Sequence, residues 1–76
     1  MSPTELVVRD VYLNVLELST VDPEQDLFAL GGDSVHAVRI ALELERRFEF
    51  EVPVNRFEED SSVRSIAAWI DLRAPK

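Results

Sequence analysis

The sequence predicts an all-α fold: a small four-helix bundle of three longer helices and one short one. Three observations carry this prediction. Apolar residues recur at helical spacing in three separate segments. Each of these segments opens next to a residue suited to capping a helix N-terminus. No stretch alternates as a half-buried strand would, and there are no glycine-rich repeats. The 76 residues are read as one domain, 1–76, near the lower size at which a single core suffices without metal or disulfides. Helices of this length are marginal alone in water, so the bundle must draw its stability from the facing stripes of its first, second and last helices.

Ser2, Pro3, Thr4 and Glu5 have the form of a capping box, with proline at the first helical position and glutamate three residues after the cap. The first helix is predicted to run to about Leu18. Val8, Val11, Tyr12 and Val15 share its inner face, Val7 and Leu18 lie at the edge, and Arg9, Asp10, Asn14 and Glu17 fall elsewhere. Ser19 to Asp33 then shows no sustained period and contains Pro23 and paired glycines. That is long for an irregular connection in so small a domain. Leu27, Phe28 and Leu30 are expected to pin it across the bundle, since three large apolar residues would otherwise be exposed together.

The second helix is predicted from about Ser34 to Phe48, with Asp33 as its N-cap. At about 100° per residue it carries two apolar arcs. Ala37, Ile40, Ala41, Leu44 and Phe48 form a continuous core stripe, opposite a solvated face of His36, Arg39, Glu43 and Arg46. Val35, Val38 and Leu42 form a smaller arc beside the Ser34 hydroxyl. This arc is either a docking surface or is covered by the loop or Phe57, and Leu42 is the member best placed to be covered. Glu51 to Pro53 break the pattern. Val54 to Glu59 offers a short turn capped by Asn55 and anchored by Phe57. Ser62 caps a last helix to about Leu72 with Val63, Ile66, Ala67 and Ile70 on one stripe. Trp69 lies off that stripe, either half-buried at the bundle edge or partly exposed near a linker, and Arg73 to Lys76 read as a frayed tail.

Fifteen acidic against eight basic side chains give a formal charge of -7, which repels a phosphate backbone and argues against nucleic-acid binding. The acidity either favours basic partner surfaces or serves solubility alone. There is no cysteine, so neither disulfides nor a thiolate zinc site is available. No apolar run reaches the length of a membrane span, and the N-terminus lacks the layout of a signal peptide. The reading is a cytoplasmic, monomeric domain. Met1 and a capped first helix suit a discrete protein, although a domain cut from a larger synthetase would look the same.

Leu30, Gly31, Gly32, Asp33 and Ser34 place one serine hydroxyl at a helix start, on a rigid element beside a loop, where another protein can reach it. Serine catalysis needs a base within reach, and the single histidine, His36, lies two positions along the same helix, about 200° away. The nucleophile-elbow pattern fails as well, because position 36 is not glycine. Gly31 and Gly32 lack the following lysine and preceding strand of a phosphate loop. Glu58, Glu59 and Asp60 lack the ligand spacing of a calcium loop, and one histidine supplies too few ligands for a metal.

The run Asp26, Leu27, Phe28, Ala29, Leu30, Gly31, Gly32, Asp33, Ser34, followed by Val35, Ala37, Val38, Arg39 and Ile40, resembles the phosphopantetheine attachment site of carrier proteins, most closely the peptidyl carrier or thiolation type. The likeness covers nearly the whole chain. It implies an acyl-carrier-protein-like bundle in which Ser34, with Gly32 and Asp33 around it, is esterified by 4'-phosphopantetheine from coenzyme A, and the arm's thiol carries an aminoacyl or peptidyl thioester. It implies no catalytic residues and no structural metal. The partners it implies are a phosphopantetheinyl transferase, an adenylation enzyme or domain, and downstream condensation, thioesterase or tailoring enzymes of nonribosomal peptide or antibiotic biosynthesis, docking on Val35, Val38, Arg39 and Leu42. Many peptidyl carriers have histidine where Asp33 stands and leucine where His36 stands, so the match departs at two positions beside the serine. A polyketide or other acyl carrier is the nearest alternative. A non-catalytic helical interaction module, in which Asp33 and Ser34 merely cap a helix, is the alternative from another class.

Overall fold

The computed structural model describes residues 2–73. Three α-helices and one short 3-10 helix make up its regular structure, with no strand among the described residues. Helix α1 is Pro3–Leu16. Ser2 Oγ accepts the Glu5 amide at 3.1 Å, satisfying one of the donors that a helix start leaves unpaired. The helix stops two residues short of the expected Leu18. Glu17 turns left-handed (φ 56°), and the Glu17 and Leu18 amides both donate to the Leu13 carbonyl, which closes the end.

Helix α2 is Ser34–Phe48, the span the sequence predicts, and left-handed Glu49 (φ 59°) ends it. The 3-10 helix Val54–Glu58 buries Phe57 as expected. Asn55 does not cap it. The Arg56 amide donates to the Pro53 carbonyl at 3.1 Å, so the cap lies two residues earlier, Pro53 takes its position and Asn55 falls inside. Helix α3 is Val63–Arg73, and Ser62 Oγ accepts the Ser65 amide at 3.1 Å. Arg73, expected in the frayed tail, is the last helical residue; the remainder of that tail, 74–76, lies outside the described residues.

The predicted stripes meet in one core. Val8, Val11 and Tyr12 of α1 face Ile40, Ala41 and Leu44 of α2 and Val63, Ile66 and Ile70 of α3, all buried. Helix α1 packs on both other helices, and the 3-10 helix closes against α2. Phe48 is half-buried at the rim of this core. Val52 and Phe50, which the sequence pattern did not place, close the bottom: Val52 is buried, and Phe50 stacks on half-buried Trp69 at a centroid distance of 6.0 Å. The Arg73 guanidinium lies 4.9 Å from the Trp69 ring centroid, a favourable cation–π placement. Polar ties run along the outside. Arg47 reaches Asp10 and Glu43 at 3.3 Å each, and Thr4 Oγ1 donates to Asp71. Exposed pairs of this kind contribute about 0–1 kcal/mol each, so the apolar stripes decide the fold.

Candidate functional site

The loop from Ser19 to Asp33 delivers the start of α2. Two of its apolar residues enter the core: Leu27 is fully buried and Val21 nearly so. Phe28 does not act as a pin and is 49% exposed. Its neighbours explain why. Asp26 Oδ1 accepts the Ala29 amide at 2.7 Å, the Leu30 amide donates to the Leu27 carbonyl and the Gly31 amide to that of Phe28. In turns of this tightness residues three apart share a side, so Leu27 and half-buried Leu30 face inward and Phe28 faces out.

Both glycines have work to do here. Gly31 has φ +92°, a region that side chains rarely adopt. Gly32 donates its amide to the Leu27 carbonyl at 2.9 Å, and a Cβ there would lie 2.6 Å from Leu27 Cδ1. Asp33 then caps α2, with Oδ1 accepting the Val35 amide at 3.0 Å and the His36 amide at 3.1 Å. The His36 amide, first among these contacts, holds the Asp33 carboxyl below its ordinary value of 3.8.

His36 answers in kind. Its Nδ1 accepts the Asp33 amide at 3.1 Å, completing a reciprocal capping box with an imidazole in the place usually held by glutamate or glutamine. A neutral imidazole making this bond carries its proton on Nε2. The residue expected on the solvated face is therefore half-buried and built into the helix start. Its cue was the spacing Asp-x-x-His, which the usual box does not include.

Ser34 occupies the first position of α2, exposed, and its Oγ has no hydrogen-bond partner among the described residues. Beside it Val35 is 66%, Val38 41% and Leu42 56% exposed. The smaller arc is thus open along its whole length. The alternative in which the loop or Phe57 covers the arc, Leu42 included, does not hold, because Phe57 is buried in the core and the loop turns Phe28 outward. Arg39 is also exposed and borders a shallow hollow with Val11, Asn14, Val15, Glu43 and Arg47. Shallow hollows of about 220 to 370 Å³ mark the surface of the described residues away from Ser34. Among the described residues no cluster of histidine, cysteine and carboxylate could hold a metal ion, and no helix is long and apolar enough to cross a membrane.

Comparison with known proteins gives this arrangement its context. The family model described as "Phosphopantetheine attachment site" matches residues 6–70, a span that contains the whole Ser34 region. The chain belongs to the phosphopantetheine attachment site family. A hybrid PKS-NRPS synthetase, ucsA, of an Acremonium species is 34% identical over 68 residues, covering 84% of this chain and 2% of that protein. The chain spans only a small part of the length of that relative. Among solved structures, BlmI, a type-II acyl carrier protein from Streptomyces verticillus involved in bleomycin biosynthesis, superposes with a TM-score of 0.86 at 25% identity, covering 91% of this chain and 83% of BlmI. The structure of McyG A-PCP complexed with phenylalanyl-adenylate superposes with a TM-score of 0.85 at 30% identity, covering 91% of this chain and 11% of that one. As a member of the phosphopantetheine attachment site family the chain is a carrier domain of the kind found in such synthetases, and its helical architecture is that of acyl and peptidyl carriers.

Proposed function

We propose that residues 1–76 form a single non-catalytic carrier domain in which Ser34 is the attachment point for 4'-phosphopantetheine, and that the loaded arm holds an aminoacyl or peptidyl thioester in nonribosomal peptide or related biosynthesis. The observation that carries this reading is an exposed serine hydroxyl, without a hydrogen-bond partner among the described residues, on the first turn of a doubly capped helix inside the segment matched by the family model.

The residues present fit the group. Ser34 Oγ is open to a large partner, and a phosphodiester there would lie at the positive end of α2. When bound, the arm supplies a thiol on a flexible tether. In the attachment reaction Ser34 Oγ bonds to the phosphorus of the phosphopantetheine portion of coenzyme A, the P–O bond to adenosine 3',5'-bisphosphate breaks, and the serine proton passes to a base. That base belongs to the transferase, since His36 Nδ1 is committed to the Asp33 amide. The protein's own part is position: a rigid helix start presents the tether, raising the local concentration of a cargo that must visit several active sites.

Val35, Val38 and Leu42, with Arg39 and Asp33 at the rim, are proposed as the docking patch for a phosphopantetheinyl transferase, an adenylating enzyme and later condensation, thioesterase or tailoring partners. Small apolar patches with charged edges suit contacts that must form and release. Adenylation as the loading step is supported by the McyG likeness, in which an adenylating domain and a carrier share one chain. The expected compartment is the cytoplasm, and the expected state is a monomer.

The test is intact mass after incubation with coenzyme A, magnesium and a broad-specificity transferase. One added phosphopantetheine is expected on the parent and none on Ser34→Ala, with the helical circular dichroism of the two unchanged. Absence of the addition on a folded parent, with the transferase active on another carrier, overturns the reading in favour of an interaction module. Loading of the modified protein by malonyl-type donors alone would identify a polyketide carrier instead, a reading supported by the likeness to the hybrid PKS-NRPS synthetase ucsA.

A further inference from the structure

Ser61 and Ser62 are the buried polar residues of the core, and only Ser62 is explained by helix capping. Ser61 is fully buried and joins three elements. Its carbonyl accepts the Tyr12 hydroxyl from α1 at 2.6 Å. Its Oγ accepts the Leu27 amide from the long loop at 2.9 Å. Flanking bonds hold the segment itself: Arg56 donates to the Asp60 carbonyl at 2.9 Å, and the Ser62 amide to Asp60 Oδ1 at 3.1 Å. From Leu27 the series continues toward the helix start, because its carbonyl accepts the Gly32 amide at 2.9 Å and its side chain lies against Gly32. Gly32 stands two residues before Ser34.

We propose that Ser61 is a positioning residue for Ser34: its buried hydroxyl fixes Leu27, Leu27 fixes Gly32, and Gly32 sets where the exposed serine is presented to the modifying enzyme. The inference rests on the reading of Ser34 as the attachment point. A buried amide without an acceptor carries its full desolvation cost, so removing Ser61 Oγ favours conformations in which the 26–33 turn lifts from the core. A partner that binds only the docked turn then sees a smaller competent fraction, and its apparent affinity falls by that fraction. The effect belongs in KM for the carrier substrate, with kcat unchanged, since Ser61 touches none of the reacting atoms.

The test compares the parent with Ser61→Ala, Ser61→Cys and Ser65→Ala. The last removes a part-buried side-chain hydrogen bond, from Arg56 to Ser65 Oγ at 2.8 Å, that involves neither Leu27 nor Gly32. Amide hydrogen exchange and steady-state phosphopantetheine transfer are measured on each. For Ser61→Ala the expected result is exchange at Leu27 and Gly32 at least tenfold faster, with Val11 and Ile66 still protected, and a KM for the carrier raised about fivefold or more at unchanged kcat. Ser61→Cys, a weaker acceptor of nearly the same size, should fall between it and the parent and takes over the test if Ser61→Ala loses its helical signal. Ser65→Ala should leave KM unchanged. A parent that is modified normally, with Ser61→Ala and Ser61→Cys equal to it in KM, overturns the positioning role. Equal rises in KM for Ser65→Ala and Ser61→Ala do so too, by showing a general loss of stability. Failure of the parent itself to accept the group would instead overturn the reading of Ser34.

Discussion

Asp33 ties the cap of α2 to pH. Its carboxylate accepts two first-turn amides and its pKa is lowered by them. A group whose folded pKa is depressed adds stability above its unfolded value and loses it as the pH falls through the folded one. Asp33→Ala should therefore lower Tm by several degrees at neutral pH, while Asp33→Asn, a comparable cap without a charge, recovers most of the loss. The gap between parent and Asp33→Ala should shrink as the pH drops below 3.8 and level off at the smaller advantage of an uncharged cap once the carboxyl is protonated in both states. Thermal melts across that range measure it. Gly32 sets a different limit. A methyl there meets Leu27 Cδ1 at 2.6 Å, Cγ at 2.8 Å and the Leu27 carbonyl at 3.0 Å, so Gly32→Ala should cost about 1–3 kcal/mol by overpacking, read from urea unfolding. The motif made Ser34, Asp33 and the glycines legible in the sequence. The imidazole half of the cap was not, because His36 at that spacing looks like any solvated helical residue until the Asp33 amide is seen to point at it.

At the scale of the elements, the stripes of α1, α2 and α3 were readable because burial on one helical face leaves a 3.6-residue period in the sequence. The loop was less so. Periodicity says nothing about a segment held by single hydrogen bonds to distant residues, and the Leu27 amide on Ser61 Oγ spans 34 positions. The same absence of period hid the outward turn of Phe28 and the misplaced cap at Asn55. Tyr12 shows how one such bond couples elements. Burial pushes its hydroxyl far above the usual phenol range, outweighing the lowering by Arg56, with Asp60 and Asp26 adding to the rise. An acid with a raised folded pKa stabilises fully below its unfolded value, near 10.0, and this contribution is lost as the pH rises toward the folded one. Tyr12→Phe should cost about 1–2 kcal/mol at neutral pH by leaving the Ser61 carbonyl without its donor. It should also lack the parent's alkaline loss of stability above pH 10.0. Denaturant titrations on either side of that pH test both statements, and the phenolate absorbance of the single tyrosine should rise together with unfolding of the parent.

For the whole molecule, the balance is between a small core and a surface left open for partners. A chain of this length has a total stability of about 4–11 kcal/mol. Its second helix nonetheless leaves Val35, Val38 and Leu42 in water, apolar area that could have joined the core. What remains inside must be packed without slack, and Phe57 is the largest buried side chain that belongs to no long helix. It belongs to the buried core cluster and sits on the 3-10 helix that packs against α2, and truncating such a side chain removes both its transfer free energy and the packing of the walls around it. Phe57→Ala should therefore cost about 3–5 kcal/mol, a large share of the total, and shift the urea midpoint strongly downward. Leu42→Ala, of similar chemistry but exposed, should leave that midpoint nearly unchanged. If the two substitutions moved the midpoint equally, the open arc of α2 would be structural after all, and its exposure would no longer argue for a docking role.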